Sequence, residues 1–176
     1  MVRGRRNPLY CGLPSRLKKA RQSLSFDSIA ETAGLTEGNT VLNLERKAGH
    51  VPRLDTVEKV AYALGLSPAF LAYGLDGDGV RLTDGLRCEG VATRLREVRL
   101  MRELTMRALS EKSGLSHPTA RSTETGASMP TLATVEALAN ALGVSPGWLA
   151  YGLGPVELPN RRATRPAAST APASAK

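Results

Sequence analysis

The chain has 176 residues, of which 41% are hydrophobic and 23% are charged, and its formal net charge is +8. No hydrophobic run reaches the roughly 20 residues of a membrane span, and the basic start is not followed by the hydrophobic segment of a secretory signal, so we expect a soluble, cytoplasmic protein. The positive charge is concentrated in the two termini, which is typical of a protein that binds a polyanion, but it would serve solubility equally well.

The sequence is a tandem repeat. Residues 64–74 return 78 residues later as residues 142–152, and residues 52–58 return as residues 130–136. A solenoid would need more copies of a shorter unit, so the repeat predicts two copies of one small domain. The predicted division is a basic arm 1–12, a first domain 13–74, a linker 75–90, a second domain 91–153 and a disordered basic tail 154–176.

Each copy is predicted to fold as five short helices without a strand. In the first copy these are residues 15–23, a second helix capped by Ser25, then 38–46, 54–64 and a fifth helix after Ser67-Pro68. Gly34 follows the second helix, where a left-handed residue lets the chain turn sharply into the third. The second copy repeats this plan, with Gly114 at the turn and a third helix over 116–124.

The linker and the cysteines offer no clear chemistry. The run Asp76-Gly77-Asp78-Gly79 lacks the third early ligand and the terminal glutamate of a calcium loop. Cys11 and Cys88 precede the first helix of each copy without a CxxC pattern, which leaves a structural or incidental thiol and a disulfide or redox switch both open.

Both copies resemble the helix-turn-helix domain of the phage repressor and Cro family, also called the XRE family. The resemblance covers about residues 12–74 and 90–152 and rests on an ordered set of motifs that occurs twice: Arg-Leu-x3-Arg in helix 1, Gly-Leu-Ser/Thr at the turn, Glu ending helix 3, a downstream Pro, and Leu-Gly-Val/Leu-Ser-Pro-x2-Leu before helix 5. It implies an all-α, lambda-repressor-like fold in which the third helix lies in a DNA major groove.

The resemblance also implies roles for single residues. An arginine of helix 1 pairs with the glutamate that ends helix 3, which gives Arg21 with Glu45 and Arg99 with Glu124. Base reading falls on the first residues of helix 3 and on one residue about a turn later. By residue match, the base-reading set is Gly38, Asn39 and Asn43 in the first copy and Ser116, His117, Pro118 and Ser122 in the second, with Arg121 beside them.

Each base-reading residue has a plainer interpretation that the sequence leaves open. Asparagine pairs with adenine and arginine with guanine, but Asn39 and Asn43 could simply form a solvated helix face. Arg121 could contact a phosphate, and His117 could be a turn residue before Pro118. His50 is interpreted as lying on the phosphate side or as incidental, because it has no second histidine or cysteine with which to bind a metal.

One contact of the family is missing from both copies. Where the family has a glutamine that opens helix 2 and binds a phosphate, this chain has Phe26 and Met106. Phosphate affinity must then come from other basic residues, and the candidates are Lys18, Lys19, Arg46, Lys47 and Arg53 in the first copy and Arg96, Arg102 and Arg107 in the second.

These features predict a sequence-specific, double-stranded DNA-binding transcriptional regulator, a repressor acting by promoter occlusion, whose two recognition helices read two half-sites. The partner is DNA, with a homodimer left open. The alternative is a protein-interaction module, such as an antitoxin or a mobile-element factor, that binds a protein through the fifth helices; core packing or docking of the repeats is the other explanation of those helices. No nucleophile-base motif, metal set or phosphate loop indicates an enzyme or a cofactor.

Overall fold

The computed structural model describes residues 8–46, 50–75 and 85–157, and within these ranges the backbone is helical with only isolated β-bridges. After a 3-10 helix, Leu9–Gly12, the first unit contains α1 (Leu13–Arg21), α2 (Phe26–Thr32), α3 (Gly38–Arg46), α4 (Leu54–Ala63) and α5 (Pro68–Tyr73). After a second 3-10 helix, Arg87–Gly90, the second unit contains α6 (Val91–Met101), α7 (Met106–Ser113), α8 (His117–Glu124), α9 (Leu132–Leu142) and α10 (Pro146–Tyr151). The predicted all-α fold is confirmed, and no described helix has the length and apolar character to span a membrane.

Side-chain caps and glycine turns set the α2–α3 and α7–α8 connections. Ser25 caps α2 by accepting a hydrogen bond from the Ser28 amide, and Thr105 caps α7 in the same way. Gly34 and Gly114 follow these helices with φ angles of 64° and 70°, in the left-handed region that glycine adopts without a steric penalty. The helix–turn–helix geometry therefore follows from local sequence in both units.

The first helix differs from its prediction at both ends. It begins at Leu13 rather than at residue 15, because Pro14 is tolerated in the first helical turn. It ends at Arg21 rather than at residue 23, because Gln22 adopts a φ of 49° and breaks the helical geometry. The α4 helix ends one residue before the predicted position, at Ala63.

The two units pack into a single hydrophobic core. The amide of Leu54 at the start of α4 donates to the Pro130 carbonyl at 3.1 Å, and the amide of Leu132 at the start of α9 donates to the Pro52 carbonyl at 3.0 Å. Leu54 and Leu132 are equivalent residues of the two repeats, as are Pro52 and Pro130, so the same hydrogen bond runs in both directions between the units. A relation of this kind is a pseudo-two-fold axis between the units.

Two buried tyrosines also form reciprocal hydrogen bonds between the units. The Tyr73 hydroxyl at the end of α5 donates to the Leu132 carbonyl at 3.2 Å, and the Tyr151 hydroxyl at the end of α10 donates to the Leu54 carbonyl at 3.4 Å. Both side chains are fully buried between the units. Each tyrosine thus satisfies its hydroxyl and holds the first turn of the opposite unit's fourth helix.

The fifth helices pack against each other, as the docking explanation of their apolar side chains expects. Gly147 of α10 lies so near α5 that a Cβ at this position would be 3.0 Å from the Ala69 Cβ and 3.3 Å from Leu75 Cδ1. The apolar side chains considered as a partner surface are mostly buried by this docking, namely Leu71, Tyr73, Leu149 and Tyr151, while Phe70 remains exposed. The packing of α5 on α10 thus accounts for most of these apolar side chains, and a protein partner for the fifth helices remains a prediction.

The start of each unit also docks on the opposite unit. In α4, Glu58 is fully buried, and its carboxylate accepts hydrogen bonds from the amides of Arg87 and Cys88 at 2.7 and 2.8 Å and from the Tyr62 hydroxyl at 2.6 Å. A carboxylate with three donors is well compensated for its burial. The 3-10 helix 87–90, which the sequence analysis assigned to the linker, is thereby part of the packed interface.

Glu136 of α9 makes the equivalent contact for the first 3-10 helix. Its carboxylate accepts from the amides of Leu9 and Tyr10 at 2.7 and 3.2 Å. This 3-10 helix falls within the predicted basic arm, so neither short helix was predicted from the sequence. Their anchoring glutamates lie in the other repeat, more than 25 residues away, and no local pattern indicates such a contact.

Candidate nucleic-acid interface

The third helix of each unit, α3 or α8, is held by an arginine–glutamate pair, and both pairs implied by the family resemblance are present. Arg21 Nε lies 2.5 Å from Glu45 Oε2 and Arg21 Nη2 lies 3.2 Å from Glu45 Oε1. Arg99 makes the same two-pronged contact with Glu124, with both distances 2.6 Å. A bidentate pair fixes orientation as well as distance, so each pair holds the end of α3 or α8 against the first helix of its unit.

The Arg21–Glu45 pair gives stability an acid-dependent component. The hydrogen bond from Arg21 lowers the pKa of the Glu45 carboxyl, and the charges of Arg21, Arg46 and Lys18 lower it further, while burial opposes them. A carboxyl whose pKa is lower in the folded protein contributes stability that is present above its unfolded pKa, about 4.3, and is lost as the pH falls through the folded pKa.

We therefore expect Glu45→Gln to be less stable than the wild type at pH 7 and the difference to shrink as the pH falls below about 4.3. Urea unfolding of both proteins at several pH values between 7 and 3 measures this difference. A difference that stays constant over that range would contradict the assigned role of Glu45.

Phe26, the position at which the family resemblance implies a phosphate-binding glutamine, contacts the same arginine–glutamate pair. The Arg21 guanidinium lies 4.4 Å from the centre of the Phe26 ring, and the Arg46 guanidinium lies 5.6 Å from it. Both distances are in the range of a cation–π contact. The aromatic residue at the start of α2 thus supports the Arg21–Glu45 pair.

The second unit exposes most of its predicted base-reading residues at the start of α8. His117, Pro118 and Arg121 are exposed. The two serines are already engaged in the helix: Ser116 caps α8 by accepting from the Thr119 amide at 3.3 Å, and Ser122 donates to the Thr119 carbonyl at 3.1 Å. Their hydroxyls thus have structural partners, so His117 and Arg121 are the polar side chains of this set best placed to reach a ligand.

The first unit presents a different helix start. Asn39 and Asn43 are exposed on α3, but Gly38 is buried beneath Asp27 of α2, and a side chain at Gly38 would collide with the Asp27 carboxylate. Gly38 therefore presents no accessible group to a DNA base, and we drop it from the base-reading set. Aligning the sequence with the family motif could not reveal that Gly38 is buried, because an alignment carries no information about the neighbouring helix α2.

The predicted phosphate contacts lie on the protein surface. Exposed members of the set are Lys18, Lys19, Arg46, Arg53, Arg96, Arg102 and Arg107, while Lys47 lies outside the described residues. Arg107 forms an exposed ion pair with Glu111 at 3.0 Å, and Arg53 pairs with the partly buried Asp55 at 3.5 Å; ion pairs at the surface are weak in water. These arginines remain accessible to phosphate groups.

The first arginine of the Arg-Leu-x3-Arg motif, Arg16 in one unit and Arg94 in the other, has a structural role that the sequence did not indicate. Arg16 donates to the carbonyls of Leu71 and Ala72 at the end of α5, at 2.8 and 2.6 Å, and Arg94 donates in the same way to Leu149 and Ala150 at the end of α10. The last carbonyls of a helix lack partners within the helix. Both arginines therefore cap the helices that pack between the units.

Residues 95–149 match a helix-turn-helix family model, which extends from α6 to α10 and so covers most of the second unit. No curated protein and no solved structure matches the chain significantly. The matched family is the XRE type of helix-turn-helix. The match, together with the helical fold and the exposed start of α8, indicates a DNA-binding transcription regulator.

Proposed function

We propose that the protein is a sequence-specific, double-stranded DNA-binding repressor in which one chain supplies both halves of a two-fold DNA-binding unit. The observation that carries this proposal is the reciprocal docking of the repeats, in which the Leu54 amide donates to the Pro130 carbonyl and the Leu132 amide donates to the Pro52 carbonyl. In dimeric helix-turn-helix proteins, a two-fold axis places two recognition helices over half-sites about 34 to 36 Å apart, one helical turn. Here the pseudo-two-fold axis relates α3 and α8 within one chain.

A built-in pair of units changes how the protein binds DNA. A homodimer must first assemble, so its occupancy of a site depends on protein concentration through a dimerisation equilibrium. In this chain the two units are already joined by the packing of α5 against α10. We therefore propose that one chain, rather than a homodimer, occupies one DNA site.

The proposed site is long enough for the bound protein to repress a promoter by blocking access to it. Two half-sites one helical turn apart cover about 20 base pairs, enough to exclude another protein from a promoter element. This mechanism requires no ligand and no contact with RNA polymerase.

The experiment that tests the proposal is selection of bound duplexes from a random DNA pool at near-physiological salt, followed by sequencing. Enrichment of a defined sequence is the expected result, and sedimentation of the complex should give one chain per duplex. A promoter that carries the selected site should be transcribed less in vitro when the protein is added. Binding without sequence enrichment, two chains per site or unchanged transcription would each contradict the corresponding part of the proposal.

A further inference from the structure

The two helix-turn-helix segments carry opposite net charge. Residues 26–46, from α2 to α3, contain four acidic residues and one basic residue, Arg46, for a net charge of −3. Residues 106–125, the corresponding segment of the second unit, contain three basic and two acidic residues, for a net charge of +1. Each count includes one glutamate of an arginine pair, Glu45 or Glu124, so the contrast arises from the other side chains.

Equivalent positions show where the charge changes sign. In the first turn of α2, Asp27 stands where α7 has Arg107, and both are exposed. At the turn before the recognition helix, exposed Glu37 stands where the second unit has Ser116. Open grooves between the two helices are lined by Asp27, Glu31, Glu37 and Asn39 in the first unit and by Arg107, Ser110, Glu111 and His117 in the second.

The third helices differ in the same direction, because α8 carries a positive side chain where α3 carries an apolar one. When the glutamates that end α3 and α8 are aligned, Arg121 corresponds to Leu42. Arg121 is exposed and carries the bidentate donors that recognise guanine, whereas Leu42 is partly buried and has none. At the start of α3, the Asp27 carboxylate also lies over Gly38, where it meets the positive end of the helix dipole that would otherwise attract a phosphate.

We propose that DNA sequence is read mainly by the second unit, and that the first unit makes little demand on the bases and holds the DNA backbone through basic residues outside its α2–α3 segment, Lys18, Lys19 and Arg53. This inference rests on the proposed function. The backbone of DNA repels an acidic surface, and phosphate contacts dominate affinity, so the acidic α2–α3 face weakens the contact of its own unit. The target is then an asymmetric DNA site with one strongly specified half.

The test compares matched substitutions in the two units of the full-length chain, on the duplex that the wild-type protein selects. Arg121→Ala should weaken binding about 10- to 100-fold and relax the base preference in one block. Asn43→Ala, which removes a predicted base-reading side chain from the exposed face of α3, should weaken binding less than about twofold. Equal losses, or a larger loss for Asn43→Ala, would overturn the inference.

A charge exchange tests the phosphate component. Arg107→Asp should reduce the dependence of the logarithm of affinity on the logarithm of salt concentration by about one unit, and Asp27→Arg should increase it by about one unit. No change in either slope would overturn the inference. Circular dichroism of each variant checks that these exposed substitutions leave the helices intact.

The selection of duplexes from a random DNA pool by the wild-type protein shows whether this inference fails alone or together with the proposed function. One strongly specified block supports the inference, and two equally specified blocks overturn it while leaving a sequence-specific regulator. An absence of DNA binding or of any enriched sequence contradicts the proposed function itself.

Discussion

Replacement of Glu58 by alanine should lower the free energy of unfolding by about 3 to 5 kcal/mol. The substitution removes the carboxylate that accepts from the amides of Arg87 and Cys88 and from the Tyr62 hydroxyl. Buried donors without partners are destabilising by about 1 to 3 kcal/mol each. We expect the 3-10 helix 87–90 to loosen from α4, because its amides can then bind water instead.

Thiol reactivity reports this loosening directly. Cys88 is buried, and burial raises the pKa of its thiol, with the hydrogen bond to Glu58 adding to the effect. Because the thiolate is the reactive form, Cys88 should react slowly with a thiol reagent in a Cys11→Ser background. Glu58→Ala should accelerate that reaction, and urea unfolding measures the stability loss.

Glu136→Ala is the matched control for Glu58→Ala. It releases the amides of Leu9 and Tyr10 in the other half of the interface, so it should destabilise the protein without accelerating the reaction of Cys88. Unchanged stability and continued protection of Cys88 in Glu58→Ala would show that this carboxylate does not anchor the second unit.

Replacement of Gly147 by valine should destabilise the contact between the units by about 2 to 3 kcal/mol, a range typical of overpacking. A Cβ at this position already meets Ala69 and Leu75 at 3.0 and 3.3 Å, and the two methyl groups of valine extend beyond it. For a chain of this size the midpoint of thermal unfolding should fall by roughly 5 to 10 °C. Thermal unfolding followed by circular dichroism measures the shift.

Transfer of one methyl group across the interface is the control. The double variant Ala69→Gly, Gly147→Ala keeps the total volume between α5 and α10 and should be close to the wild type in stability, because volume-conserving changes are tolerated best. Combining Ala69→Gly with Gly147→Val should recover part of the loss. If Gly147→Val unfolds at the wild-type temperature, the close approach of the two helices at this point is not present in solution.

The sequence predicted the elements within each repeat because their signals are local. Ser25 caps α2 and Gly34 adopts the left-handed turn, as their positions after and before hydrophobic runs indicated. The family resemblance added the Arg21–Glu45 pair, which joins residues from two helices. The domain division and the DNA-contacting residues remain predictions.

The contacts between the repeats lie beyond local patterns. Glu58 and Glu136 appear in the sequence as ordinary helix residues, yet each is buried by a segment of the other repeat. The close approach of Gly147 to Ala69 likewise depends on how two separate helices meet. Hydrophobic periodicity indicates which face of a helix is buried but does not identify the neighbour that covers it.

The pseudo-two-fold arrangement within one chain also affects how the protein evolves. In a homodimer, one codon change alters both recognition helices at once, so a new preference at one half-site must suit the other as well. Here the two helices are encoded separately, as Arg121 and Leu42 at equivalent positions illustrate. If one chain covers both halves of a DNA site, as proposed above, each half can diverge separately while the reciprocal contacts preserve the shared scaffold.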